Sequence, residues 1–166
     1  MEFSLALQQD LPEIMALFRA ATLRMDECGI PQWDEIYPDQ AVIAADIARR
    51  EMTVGRIGGQ IAVAFMLELC QEGEYEPADW RYAEPRFAVL HRLCVHPGFQ
   101  GRGVGHEAMD YLEREALSRG VCAIRLDAFS QNPVALHLYT SCGYEKAGEI
   151  RYRKGVFYLY EKKLSR

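Results

Sequence analysis

The chain has 166 residues, 24 acidic against 19 basic side chains for a net charge of −5, and 49% hydrophobic residues. This composition excludes a disordered tail or a collagen-like rod, and a domain of this length buries roughly 70% of the surface its unfolded chain exposes, so folding demands neither metal nor disulfide. The basic residues are scattered, with Arg49-Arg50 and Lys162-Lys163 the densest pairs, which argues against the clustered face of a nucleic-acid binder and leaves a mildly acidic surface suited to a cationic substrate.

In chain order, Phe3, Leu5 and Leu7 alternate with Ser4 and Ala6 as in a half-buried strand. Asp10 with Glu13 reads as a capping-box variant opening a helix, whose face is Ile14, Leu17, Phe18, Ala21 and Met25 and whose end is Gly29 and Pro31. Residues 30–38 read as a loop and 39–50 as a second, short helix. Met52–Ile57 and Ile61–Leu69 flank Gly58-Gly59, the signature of a tight hairpin. Residues 70–84 read as a polar loop with Glu72, Glu74, Glu76, Asp79 and Glu84.

Phe87–Val95 is a strand that stops at His96-Pro97-Gly98, directly before Gln100-Gly101-Arg102-Gly103-Val104-Gly105. Val104, Ala108, Tyr111 and Leu112, with Met109 and Ala116 beside them, continue as a helix that Gly120 ends. Val121–Leu126 is a strand, Asn132-Pro133 starts a helix in the favoured cap-then-proline order, Cys142-Gly143 closes it, and Val156–Tyr160 is a last strand. No repeat or linker divides the chain, so residues 1–166 are expected to form one domain.

Five cysteines without a C-x-x-C pair fit reduced thiols. With no basic, apolar leader and no run of the 18 or so apolar residues a membrane span needs, a cytoplasmic protein without membrane contact is expected. His96 and His106 are expected to be exposed and His137 to lie on a helix surface. No two histidines have metal-ligand spacing, so no metal is expected.

The informative unit is strand, glycine loop, helix. Glycines 101, 103 and 105 let a ligand approach the backbone, and the helix start behind them offers N–H groups and a favourable dipole to a phosphate. A plain turn rich in glycine is the bland alternative. A Walker loop is excluded, because no Lys followed by Ser or Thr stands at the required place. A dinucleotide fingerprint fails on His106, where a glycine is needed, although Asp127 stands where such folds carry their ribose-binding acid.

The segment resembles the acetyl-CoA loop of the GNAT superfamily of N-acetyltransferases, whose pattern of Q or R, x, x, G, x, G or A follows a strand ending in V-x-P. Here it stands as Val95-His96-Pro97 and Gln100-Gly101-Arg102-Gly103-Val104-Gly105. The family's later N-x-x-A, Y and G-[FY] positions are matched by Asn132, Ala135, Tyr139, Gly143 and Tyr144. The resemblance implies an α/β fold, a single GNAT-like domain with a mixed, mostly antiparallel sheet flanked by helices and splayed central strands. It also implies transfer of an acetyl group from acetyl-CoA directly to a primary amine of a small molecule, peptide or protein. A coenzyme A-binding regulatory or sensor module without turnover is the rival. The edges of such a sheet often pair, which makes a homodimer the oligomer to look for.

By the same resemblance the pantetheine arm pairs with the backbone of Leu93, Cys94 and Val95, and the pyrophosphate rests on Gln100, Gly101, Arg102, Gly103, Val104 and Gly105. Asn132, Ala135 and Tyr139 complete the cofactor contacts, and Tyr139 is the usual proton donor to the departing sulfur. For the general base, strand alternation puts Phe87, Val89, His91, Leu93 and Val95 on one face, which makes His91 the first candidate and Glu68 the second. A hydrogen-bonded strand histidine and an exposed strand-end carboxylate are the plain alternatives. A covalent role for Cys94 lacks a partner residue. The acceptor is expected between the loop 29–37 and the acidic segment 70–84. Trp33, Tyr37, Tyr75 and Trp80 would form an aromatic wall there, and Glu68, with Glu72, Glu74 or Glu76, would hold a cation.

Overall fold

The computed structural model describes residues 1–71, 75, 78–82 and 86–165. Among these, the strands β1 (Glu2–Leu5), β2 (Met52–Ile57), β3 (Gln60–Gln71), β4 (Arg86–Val95), β5 (Ala123–Phe129), β6 (Glu145–Tyr152) and β7 (Gly155–Lys163) form one sheet in the order β1-β2-β3-β4-β5-β7-β6. The helices are α1 (Leu11–Glu27), α2 (Gln40–Ala48), α3 (Val104–Ser118) and α4 (Pro133–Ser141). Two compact units are present, Met1–Leu67 with Arg92–Ala108, and Glu68–His91 with Met109–Arg166.

In the first unit β1, β2 and β3 are antiparallel neighbours. Gly58 and Gly59, at φ 58° and 84°, make the turn from β2 to β3, because both central positions of such a two-residue hairpin need positive φ. Ile14, Leu17, Phe18 and Ala21 of α1 are buried with Ile43 and Ile47 of α2, Val54, Ile61, Met66 and Cys94 in one apolar cluster. Each large side chain so removed from water contributes roughly 1.5–3 kcal/mol. Pro12 lies in the first turn of α1, where its missing N–H costs nothing, and Asp39 caps α2 by accepting from Val42 N at 2.8 Å.

The second unit holds the parallel pairing of β4 with β5, which covers Ala88–Leu90 against Ile124–Leu126. Beyond these pairs β4 runs on to Val95 and β5 to Phe129. Strand β5 also pairs antiparallel with β7 along its full length, and β7 with β6. Asn132 caps α4 by accepting from Ala135 N at 3.1 Å.

The structure differs from the sequence expectations in identifiable places. Leu7 lies beyond β1 and is exposed. The capping box is not formed. Asp10 Oδ2 turns back to accept from Leu7 N at 2.8 Å, Asp10 Oδ1 meets Arg56 Nη2 at 2.9 Å, and Glu13 Oε1 accepts from Ile61 N at 2.7 Å. The carboxylates serve strand and turn N–H groups in place of their own helix start. Strand β6 is an addition: as an outer strand with most side chains in solvent, it has no apolar alternation to announce it. His96 is half-buried, not exposed, and its Nδ1 accepts from Gly98 N at 3.1 Å. No helix among the described residues is long and apolar enough to cross a membrane.

Candidate active site

In the first unit β4 ends at Val95, the short 3-10 turn Pro97–Phe99 follows, and α3 begins at Val104. The intervening loop is shaped by Gly101 at φ 73° and Gly103 at φ 79°, values at which any other L residue would be strained. A Cβ built on either glycine meets nothing within 4 Å. The loop is a stretch of exposed backbone at a helix start, whose first N–H groups lack intrahelical acceptors. Val104 is buried and anchors α3. Gln100 donates from Nε2 to Val95 O at 3.3 Å, which ties the loop to the strand, and the Arg102 guanidinium lies over the Phe99 ring.

Strand β4 departs from extended geometry at Arg92, which has φ 54°, so the alternation expected from Phe87 through Val95 is not continuous. The side chain explains how this conformation is held. Arg92 Nε and Nη2 donate to Asp46 Oδ2 at 2.9 and 2.5 Å, and Nη1 donates to Tyr37 Oη at 2.7 Å. Asp46 on α2 is 1% exposed and takes Arg49 Nη2 on its other oxygen at 2.7 Å. Removing one partner of such a buried pair typically costs about 3–5 kcal/mol. Sequence reading missed both Arg92 and Asp46. Trp33, expected in an aromatic wall, is 8% exposed and packs on Phe18 in the core, while Tyr37 is exposed.

Cys94 is buried in the first unit's apolar cluster, and burial pushes its thiol well up. The group stays protonated near neutrality, which removes its nucleophilic form.

In the second unit four of the expected residues come together. His91 Nε2 lies 3.1 Å from Glu68 Oε2, with the histidine half-buried and the carboxylate more open. The Tyr75 ring meets the His91 ring edge-on at 6.2 Å and stacks with Trp80 at 5.9 Å. Tyr75 Oη donates to Asp127 Oδ2 at 3.1 Å. The segment carrying Trp80 is held by two buried charged side chains. Arg125 stacks against Trp80 and Phe87 and donates to Tyr82 O at 3.2 Å, and buried Glu161 accepts from Arg81 N at 2.7 Å and Tyr82 N at 3.3 Å. Sequence reading gave Arg125 and Glu161 no role. A charged residue on a strand announces a surface, and only the fold shows it buried. Glu72, Glu74 and Glu76 lie outside the described residues.

Tyr139 on α4 is 7% exposed, with its ring 6.1 Å from that of Tyr144 and 6.4 Å from that of Tyr160. Burial, with the nearby Asp127 charge, pushes its phenol up and keeps the proton on Oη. Among the described residues no group of three or more His, Cys, Asp or Glu is placed to hold a metal ion.

The family model of the acetyltransferase (GNAT) family matches residues 18–144. The chain belongs to this family. Over 60 residues, 36% of this chain and 40% of the relative, it is 37% identical to the [ribosomal protein bS18]-alanine N-acetyltransferase of Salmonella typhimurium. That match spans less than half of the relative's length. A GNAT-family acetyltransferase of Streptococcus agalactiae superposes with a TM-score of 0.86 at 24% identity, covering 99% of this chain and 96% of that one. The paia N-acetyltransferase of Thermoplasma acidophilum, solved with coenzyme A, gives a TM-score of 0.74 at 17% identity and 98% coverage of both chains. At these identities the superpositions show the fold.

Acetyl-CoA is the acetyl donor of this family. The residues of this chain fit it: the open, left-handed turns of Gly101 and Gly103 ahead of α3 leave room and backbone donors for a pyrophosphate.

Proposed function

We propose that the chain transfers an acetyl group from acetyl-CoA to a primary amine, carried by a small molecule or by a peptide or protein amino terminus, in the cytoplasm. The carrying observation is the loop 100–105, whose two left-handed glycines face open space ahead of α3. The donor supplies an activated acetyl thioester. The backbone of Leu93, Cys94 and Val95 holds its arm as an added strand would be held, and Gln100 through Gly105 hold its pyrophosphate. Asn132 and Ala135 add contacts from the start of α4.

Proton movements fall to two side chains. His91 accepts the proton of the incoming ammonium at a ring nitrogen, and Glu68, 3.1 Å from Nε2, orients the ring. Tyr139 Oη delivers a proton to the departing sulfur and regains one from the acylated nitrogen, which sheds its second proton as it becomes the amide. Desolvation raises the phenol, and it raises a thiolate in the same surroundings too, so transfer between them stays feasible. Tyr75 and Trp80 form the acceptor wall, with Glu68 as its anion, and Tyr37 belongs to the acceptor loop 29–37.

The test incubates the protein with acetyl-CoA and three sets of acceptors: peptides with amino-terminal alanine, the same peptides blocked at the amino terminus, and small diamines. Released thiol is followed. Thiol release with an open amine and none with the blocked peptide supports the reading. Acetyl-CoA binding without release for any amine supports a module that binds without turnover. Amino-terminal alanine peptides come first because the matched relative acts on an alanine of a ribosomal protein.

A further inference from the structure

Arg92 occupies the left-handed region at φ 54° inside a strand. An L residue disfavours this region because its Cβ crowds the following carbonyl oxygen, so the surroundings must hold it there. What holds it is specific. Two nitrogens of the guanidinium converge on Asp46 Oδ2, the third reaches Tyr37 Oη, and Asp46 itself is buried and steadied by Arg49 on its other oxygen. The fork of an arginine satisfies all three contacts at once, which a lysine ammonium at the end of a flexible stem does not. Directly after this turn come Leu93, Cys94 and Val95. Further along, His96 N donates to Ala62 O of β3 at 2.8 Å, so the three residues are bounded by a fixed turn on one side and a strand bond on the other.

We propose that Arg92 is a positioning residue for donor binding. Its pairing with Asp46 fixes the turn of β4 and so sets the direction in which the backbone groups of Leu93–Val95 face the pantetheine arm, and Tyr37 Oη joins the acceptor loop to the same guanidinium. This rests on the assignment of Leu93–Val95 to the donor's arm. The chemistry predicts an inverted ranking of substitutions. Arg92→Lys keeps the charge but loses the fork and the means of holding the turn. Arg92→Gly discards the side chain yet adopts positive φ freely.

The experiment measures calorimetric binding of two probes, coenzyme A and 3′-phosphorylated ADP, the part of coenzyme A without the pantetheine arm. Melting temperatures report folding. Arg92→Lys weakens coenzyme A on the order of tenfold, equal to 1.4 kcal/mol. Arg92→Gly binds it within about threefold of wild type, although it melts no higher than the lysine variant. Both bind the armless probe as wild type does. Wild-type affinity in Arg92→Lys, a glycine variant as weak as the lysine one, or equal loss of both probes overturns the positioning role and leaves the loop assignment standing. A wild-type protein that binds coenzyme A no tighter than the armless probe removes the arm from Leu93–Val95, and the positioning role falls with it. If Arg92→Lys does not fold, Tyr37→Phe serves. It removes a single bond to the guanidinium and is expected to weaken coenzyme A by about threefold, and unchanged affinity there overturns the proposal.

Discussion

His91 Nε2 and Glu68 Oε2, both in the second unit, stand 3.1 Å apart on the neighbouring strands β4 and β3. If this pair removes the amine proton, His91→Ala lowers turnover most below about pH 8 and is partly relieved at higher pH, where more amine is already neutral. Glu68→Gln keeps a hydrogen-bonding partner for the ring but removes the carboxylate, and it is expected to lower turnover less than His91→Ala does. A loss of equal size at every pH in both variants assigns the pair to packing.

Tyr139 separates chemistry from binding. Phe in its place keeps the ring among Tyr144 and Tyr160 and deletes the proton at Oη. A general acid contributes roughly 10²- to 10⁴-fold, so kcat falls within that range while coenzyme A affinity and melting temperature change little. Turnover at the wild-type rate, measured where chemistry limits, makes the phenol structural.

Gly103→Asp places a β-carbon and a negative charge in the open space of the loop, at φ 79°. Strain, obstruction and like-charge repulsion act together on a bound pyrophosphate. Coenzyme A affinity measured by calorimetry drops about tenfold or more, or at least 1.4 kcal/mol. Unchanged affinity in a folded variant takes the loop out of the site.

The loop, the helix faces and the tight hairpin were legible in the sequence because each rests on a local rule. Gly58-Gly59 favours one turn type, Ile14 to Ala21 repeat at the helical period, and Asn132 before Pro133 follows the favoured cap-then-proline order of a helix start. What could not be read rests on long-range pairing. Asp46 and Arg92 are joined across two elements, and no spacing within either announces the partner. Asp10 and Glu13 satisfied a capping pattern on paper and were taken by Leu7, Arg56 and Ile61 instead. Trp33 carried no sign of whether it would line a wall or fill the core, and the apolar face of α1 claimed it.

The Asn132 cap has an energetic consequence that is independent of catalysis. Asn132→Ala removes the acceptor of Ala135 N and should cost about 1 kcal/mol of stability. For a chain of this size that lowers the melting temperature by roughly 2–4 °C. A calorimetric scan without ligand measures it, and an unshifted transition assigns the start of α4 to other contacts.

The most direct measurement for the account as a whole is mass spectrometry of an amino-terminal alanine peptide after incubation with acetyl-CoA and the protein, with thiol release followed in the same tube. The account predicts one acetyl group on the peptide's α-amine for each thiol released. It also predicts that Tyr139→Phe slows both together. Saturable acetyl-CoA binding with no acetylated product from this peptide or from any primary amine would contradict it.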